Sequence, residues 1–292
     1  MSTKVNKKKA VIYQLTWRSA TAQGTIKSAA KLIPHIASLG VDILYVAPFY
    51  VQDDDADKTH WSIRQIKSNK NNPKNPYRIK DYYNVDEEYG SKEDLKNFVD
   101  LAHNYGLKIM FDIVYMHCGV NAVFIKDNPE FIKRDEKENI EFGPYNFPMI
   151  NFNSPKLREY LIKNMLYYVN NFNIDGFRCD AADNIPLDFW QEATLLIKQH
   201  KPEFLMLNEG KKKEYNVCFD YNYNRQANVF YEFIKDFSVK KLIENWEYLK
   251  LNGQNDGVAA FYLENHDTVT DWGKIDSMAR RTLIDACFVY IF

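Results

Sequence analysis

The chain has no surplus of charge of either sign. Its 38 Lys and Arg stand against 39 Asp and Glu, a formal net charge of -1, which removes any global electrostatic case for a nucleic-acid or anionic-membrane partner. Long uncharged apolar runs are also missing, so no segment reads as a bilayer span. No apolar stretch follows the Lys-rich start, Lys4 to Lys9, as the core of a signal peptide would. The reading is a cytoplasmic protein whose first residues form a solvated tail. Cysteine is scarce: Cys118, Cys179, Cys218 and Cys287 lie far apart, without the paired spacing of a zinc or redox motif. Cys179 reads as a small buried filler in a strand. With no nucleotide-binding fingerprint and no metal-ligand cluster, no organic cofactor is implied.

What is present is strand and helix in alternation, the pattern of a parallel sheet covered by helices. Strand patterns fall at Val11 to Leu15, Val41 to Ala47, Leu107 to Val114, Ile174 to Cys179, Phe204 to Leu207, Val217 to Tyr221 and Val258 to Leu263. Helical patterns run from about Ile26 to Ser38, ending at Gly40, then from Ser91, with Asp94 as a capping partner, to Gly106. Further ones cover Lys156 to Asn170 behind the Ser154-Pro155 cap, and Leu187 to His200 behind Pro186. Two more, about Ala227 to Asp236 and Val239 to Leu251, precede the last strand, and another starts near Ser277. The polar stretch Gln52 to Lys74 reads as an irregular loop over a barrel mouth. The connection His117 to Asn153 is too long for a turn and reads as structure of its own. The fold expected is a TIM (β/α)8-type barrel over residues 1–292, ending before an eighth strand, with a small inserted loop domain at 117–153.

Four carboxylates, Asp112, Asp180, Glu209 and Asp267, each follow one of those apolar runs, and barrel enzymes place their chemistry at the C-terminal ends of strands. Each has a bland reading, as a helix cap, a surface charge or turn chemistry. Gly176-Phe177-Arg178-Cys179-Asp180 is more specific, because Arg178 and Asp180 share a face of a buried strand. A guanidinium there would keep Asp180 ionised, as a nucleophile requires. Burial beside Phe204 to Leu207 would raise the pKa of Glu209 toward that of a general acid. Such a pair suits glycosidic hydrolysis, which needs one carboxyl to protonate the leaving oxygen and another to attack the anomeric carbon or activate water.

The segments Asp112-Ile113-Val114-Tyr115-Met116-His117, Gly176 to Asp180, Leu207-Asn208-Glu209-Gly210 and Glu264-Asn265-His266-Asp267, in that order, resemble the motifs of the alpha-amylase family of glycoside hydrolases. The resemblance implies a retaining enzyme acting on alpha-glucosidic bonds. Asp180 would be the nucleophile, Glu209 the acid/base and Asp267 a transition-state stabiliser. Arg178 would orient Asp180, His117 and His266 would bind sugar hydroxyls, Tyr77 would stack under the sugar and Asp112 would support the site. The aromatics Trp17, Trp61, Tyr82, Tyr83 and Tyr115 are further candidates for a stacking wall, with Trp61 second to Tyr77. The partner implied is an alpha-linked glucose oligosaccharide; no motif speaks to oligomeric state.

Two positions depart from the family pattern. Met116 stands where many members carry a calcium-binding asparagine, and thioethers are poor ligands for a hard cation, so no calcium is expected there. Met149, in Phe147-Pro148-Met149-Ile150-Asn151, replaces a frequent aspartate. Transglycosylation by the same machinery is one alternative to hydrolysis, and a catalytically silent glucan-binding or partner protein is another.

Overall fold

The computed structural model describes residues 5–7, 9–223, 238–241, 243–244, 247, 258–260 and 265–267. Nine strands are described among them: β1 (Ile12–Leu15), β2 (Ile43–Val46), β3 (Tyr50–Gln52), β4 (Ile79–Val85), β5 (Lys108–Ile113), β6 (Gly176–Cys179), β7 (Leu205–Asn208), β8 (Tyr221–Asn222) and β9 (Val258–Ala259). Seven form one sheet in the order β1-β2-β5-β6-β7-β8-β9, every neighbouring pair parallel. Sequential parallel order with helices between strands is barrel-type topology. β3 and β4 pair antiparallel in a separate ribbon after β2.

Every residue of β2, β6 and β7 is buried, as expected of a parallel sheet covered on both faces. Side-chain alternation splits each strand in two. Ile43, Tyr45, Met110, Leu205, Leu207 and Tyr221 form one small apolar cluster. Leu44, Val46, Ile109, Phe111, Phe177 and Met206 join the large core that the helices complete. Each such buried side chain contributes about 1.5–3 kcal/mol. Gly176 is required where β5, β6 and β7 crowd together, since a Cβ there would lie 2.7 Å from the Leu205 carbonyl oxygen.

Local signals explain the covering helices. Helix Lys92–Asn104 opens with a Ser91–Asp94 capping box. Helix Pro155–Phe172 starts at a Ser154 cap with proline in its first turn and ends at Asn173, in the left-handed region at φ 56°. Helix Leu187–His200 follows Pro186.

Several expectations need correction. Gln52 to Lys74 is not wholly irregular: a 3-10 turn at Lys58–His60 and a helix at Ile63–Lys67 lie within it, the latter opened by a Ser62–Gln65 capping box. The β3–β4 ribbon was not expected, because Lys80, Asp81 and Asn84 break the apolar pattern of β4. The strand expected at Val217 to Tyr221 is instead a 3-10 helix, Lys213–Val217, with the strand beginning at Tyr221. Val217 is 72% exposed. The pattern Ile26 to Ser38 breaks into Ile26–Ala29, a 3-10 turn and Ile33–Ser38, with Pro34 at the restart. Between His117 and Asn153 lie four isolated antiparallel bridges, one of them His117 with Met149. The helix expected at Ala227 to Asp236, the end of the strand at 261–263 and everything from residue 268 lie outside the described residues.

Candidate active site

Period-2 alternation continues past the strand ends and turns one set of polar side chains inward. Asp112 follows Met110 on its face of β5, Arg178 follows Gly176 on β6, and Asp180 and Glu209 extend the inner rows of β6 and β7. Arg178 is the centre. Fully buried, it donates from Nη1 to Asp112 Oδ1 at 2.9 Å and to Asp180 Oδ1 at 2.8 Å, and its Nη2 lies 2.8 Å from Glu209 Oε1. Three carboxylates thus face one guanidinium in a buried site, an excess of negative charge that favours retention of a proton.

Burial pushes all three carboxyls upward against the pull of Arg178. Asp112 and Asp180 rise to about 6 and Glu209 to about 7. The guanidinium therefore does not hold Asp180 in the ordinary carboxylate range. Glu209 remains the last of the three to ionise.

A hydrogen-bonded chain runs away from this centre. Tyr45 and Tyr77 both donate hydroxyls to Asp112 Oδ2, at 2.6 and 3.0 Å. His266 Nε2 is 2.9 Å from the Tyr77 hydroxyl, and its Nδ1 is 2.7 Å from Gln14 Nε2. Since the Gln14 amide nitrogen donates, Nδ1 accepts and Nε2 carries the hydrogen. Burial and then Arg178 lower His266 to about 4, so the ring is neutral. The Tyr77 and His266 rings stack with centroids 5.4 Å apart.

His117 is also neutral, lowered to about 4 by burial. Its Nε2 donates to the Tyr77 carbonyl at 2.9 Å, which leaves Nδ1 as an acceptor with no partner among the described residues. Asp267 is held below the ordinary range: burial pushes it up, but His266 and Arg64 outweigh it. Arg64 Nη1 donates to Asp267 Oδ1 at 2.6 Å.

A cleft of about 350 Å³ opens over these groups. Tyr77, His117, Asp180, Glu209, His266 and Asp267 line it, while Arg178 and Asp112 lie buried beneath. The structure thus brings together all eight residues singled out in the sequence. It does not bring the other aromatics: Trp17, Trp61, Tyr82 and Tyr115 are core residues no more than 3% exposed, and Tyr83 packs against the core. Trp61 donates its indole hydrogen to the Asp55 carbonyl. Sequence reasoning missed Arg64, Asn75, Tyr145 and Phe147 in the lining. Arg64 had a findable signal, the Ser62–Gln65 capping box that builds its helix, and Phe147 and Tyr145 sit in or beside the segment around Met149.

The alpha amylase, catalytic domain, family profile matches residues 12–142. Alpha-amylase 2 of Dictyoglomus thermophilum is 27% identical over 267 residues, covering 84% of this chain and 43% of that protein. The maltogenic alpha-amylase of Bacillus acidopullulyticus is 26% identical over 275 residues, with the same coverage of 84% and 43%. This chain therefore spans less than half the length of these curated relatives. Among solved structures, an alpha-amylase from Lactobacillus plantarum superposes with a TM-score of 0.79 at 26% identity, covering 89% of this chain and 64% of that one. A maltogenic alpha-amylase from Thermotoga neapolitana gives 0.77 at 28% identity, covering 90% and 61%. Ordered motifs, sequential parallel topology and these similarities point the same way: over most of its length the chain is similar to alpha-amylases and maltogenic alpha-amylases, and its first half matches the alpha-amylase catalytic-domain profile.

Proposed function

We propose that the chain carries the catalytic apparatus of a retaining glycoside hydrolase that cleaves alpha-glucosidic bonds in malto-oligosaccharides. The observation that carries this is Arg178 joining Asp112, Asp180 and Glu209 at the floor of an open cleft. Asp180, ionising before Glu209, attacks the anomeric carbon while Glu209 gives its proton to the leaving oxygen as the glycosidic bond breaks. Glu209 then takes a proton from water, the water oxygen bonds to the anomeric carbon, and the Asp180 ester is released. Both carboxylates contact one guanidinium, which favours the close spacing of roughly 5 Å used by double displacement over the wider gap of an inverting pair.

The remaining groups position the sugar. Tyr77 offers a ring face, and His117 and His266 line the cleft beside it. Asp267, anionic and paired with Arg64, stabilises positive charge developing at the anomeric carbon. Relatives named cyclomaltodextrinase and maltogenic alpha-amylase support the substrate class, and an intracellular maltogenic amylase from Bacillus subtilis supports a cytoplasmic setting. Among the described residues no helix is long and apolar enough to cross a membrane.

Calcium does not fit at Met116, whose side chain is 2% exposed within the hydrophobic core and offers only a soft thioether. Nearby, the buried Asp53 is already engaged by Arg78 and the Asn121 amide.

Release of sugar from maltotetraose by the purified chain, beside an Asp180→Asn control, tests the proposal. Activity lost in the control supports it; a folded parent that binds maltotetraose without cleaving it would favour a glucan-binding role instead.

A further inference from the structure

We infer that Asp183 is a positioning residue for Glu209, an inference that rests on the acid/base role proposed above. Asp183 lies three residues beyond Asp180, on the loop after β6, and its carboxylate grips the turn that carries Glu209. Oδ2 accepts the Lys211 amide at 2.6 Å and the Lys212 amide at 3.0 Å, and Oδ1 accepts Asn208 Nδ2 at 3.2 Å. The Asp183 carbonyl accepts Lys212 Nζ at 2.7 Å. Residues on both sides of Glu209 are thereby tied to the loop that carries the nucleophile.

Two further features belong to this clamp. Gly210 passes so close that a Cβ would sit 2.0 Å from Asp183 Oδ1, so only glycine admits the approach. Ala181, in the left-handed region at φ 44°, turns its amide to Glu209 Oε2 at 2.8 Å. A non-glycine residue held there is strained, and the Asp183 contacts on the same loop hold it in place. Lys211 and Lys212 are exposed, so the turn buries little and contributes little to global stability. Its effect is to fix where the Glu209 carboxyl stands relative to the bond it protonates.

That role separates from a structural one by leaving-group dependence. kcat/KM reports the step that breaks the glycosidic bond, which needs a placed acid when the leaving group is a sugar and little acid when it is fluoride. Asp183→Asn keeps the shape but turns an amide NH2 or a weaker acceptor toward two backbone donors. Gly210→Ala attacks the same contact from the other side. General acid catalysis is worth about 10²–10⁴-fold, so each variant is expected to lose roughly tenfold or more in kcat/KM on maltotetraose, against about twofold or less on alpha-maltosyl fluoride. KM should hold, as should the melting temperature of Asp183→Asn, and the double variant should be scarcely worse in kcat/KM than either single one. Equal losses on both substrates, or none on maltotetraose, would overturn the inference. A parent chain inactive on both substrates, or an Asp180→Asn chain still active on the fluoride, would instead overturn the proposed function and this inference with it.

Discussion

Arg64 Nη1 donates to Asp267 Oδ1 at 2.6 Å across 203 positions of sequence, joining the helix after β3 to the motif after β9 over the mouth of the cleft. The Arg64 side chain is 52% exposed and that of Asp267 31%, so the pair adds at most about 1 kcal/mol to stability. Under the proposed function its consequence is orientation of a carboxylate that would face the sugar. Arg64→Gln should lower kcat/KM on malto-oligosaccharides roughly tenfold, about 1.4 kcal/mol of transition-state stabilisation, while the melting temperature stays within about 2 °C. Arg64→Lys should recover part of the loss. Steady-state kinetics beside thermal melts of the three chains check this.

The pH profile should be narrow. Burial raises Asp180 to about 6 and Glu209 to about 7, and turnover requires the first ionised and the second protonated. Rate should fall below about 6 as Asp180 takes up a proton and above about 7 as Glu209 loses one. Because Asp112 shares the guanidinium, the two limbs belong to the cluster rather than to single residues. A kcat/KM profile flat from about pH 5 to pH 9 would contradict this protonation scheme.

The same burial costs stability. A carboxyl whose folded pKa, about 7 for Glu209, lies above its unfolded value of about 4.3 leaves stability untouched below the unfolded value. It destabilises increasingly as pH rises from there to the folded value. Glu209→Gln, which keeps an acceptor for the Ala181 amide, should therefore melt higher than the parent near pH 8 and alongside it near pH 4. Calorimetry at both pH values tests the sign.

At the opposite end of the sheet the sign reverses. Asp175 precedes β6, is 4% exposed, and accepts from His103 Nε2 at 2.7 Å and the Ile109 amide at 3.0 Å, with Lys201 at 3.0 Å. Burial pushes its pKa up, but His103, Lys201 and the Ile109 amide outweigh it and hold the carboxyl well below the usual range. Its stabilisation is complete above the unfolded value of about 3.9 and is lost as pH falls through the lower folded value. Asp175→Asn should cost about 3 kcal/mol at neutral pH, shrinking in acid, with the leaving-group preference of the enzyme unchanged. Denaturant titrations at pH 7 and pH 3 measure the difference.

Much of this architecture was legible in the sequence because two signals agree. Apolar runs bounded by caps located six of the seven strands of the sheet, and the Arg178–Asp180 spacing placed a charge pair on one strand face. The rest was hidden in polar segments and in long-range contacts. The β3–β4 ribbon was hidden because Lys80, Asp81 and Asn84 interrupt its apolar residues. Strand β8 was misplaced because Val217 and Cys218 look like strand residues yet close a 3-10 turn. Contacts such as Gln14 to His266 and Arg64 to Asp267 join positions more than 200 residues apart, and no periodicity reports those. Aromatic content likewise misdirects: Trp61 and Tyr115 fill the core, while Tyr145, 47% exposed, faces the cleft.

A covalent intermediate on Asp180 can be trapped with a 5-fluoro-alpha-glucosyl fluoride and located by peptide mass spectrometry. One adduct is expected, on the peptide carrying Gly176 to Asp180, absent after Asp180→Asn. An adduct on another carboxylate, or inverted product from a chain that forms no adduct while turning substrate over, would contradict it.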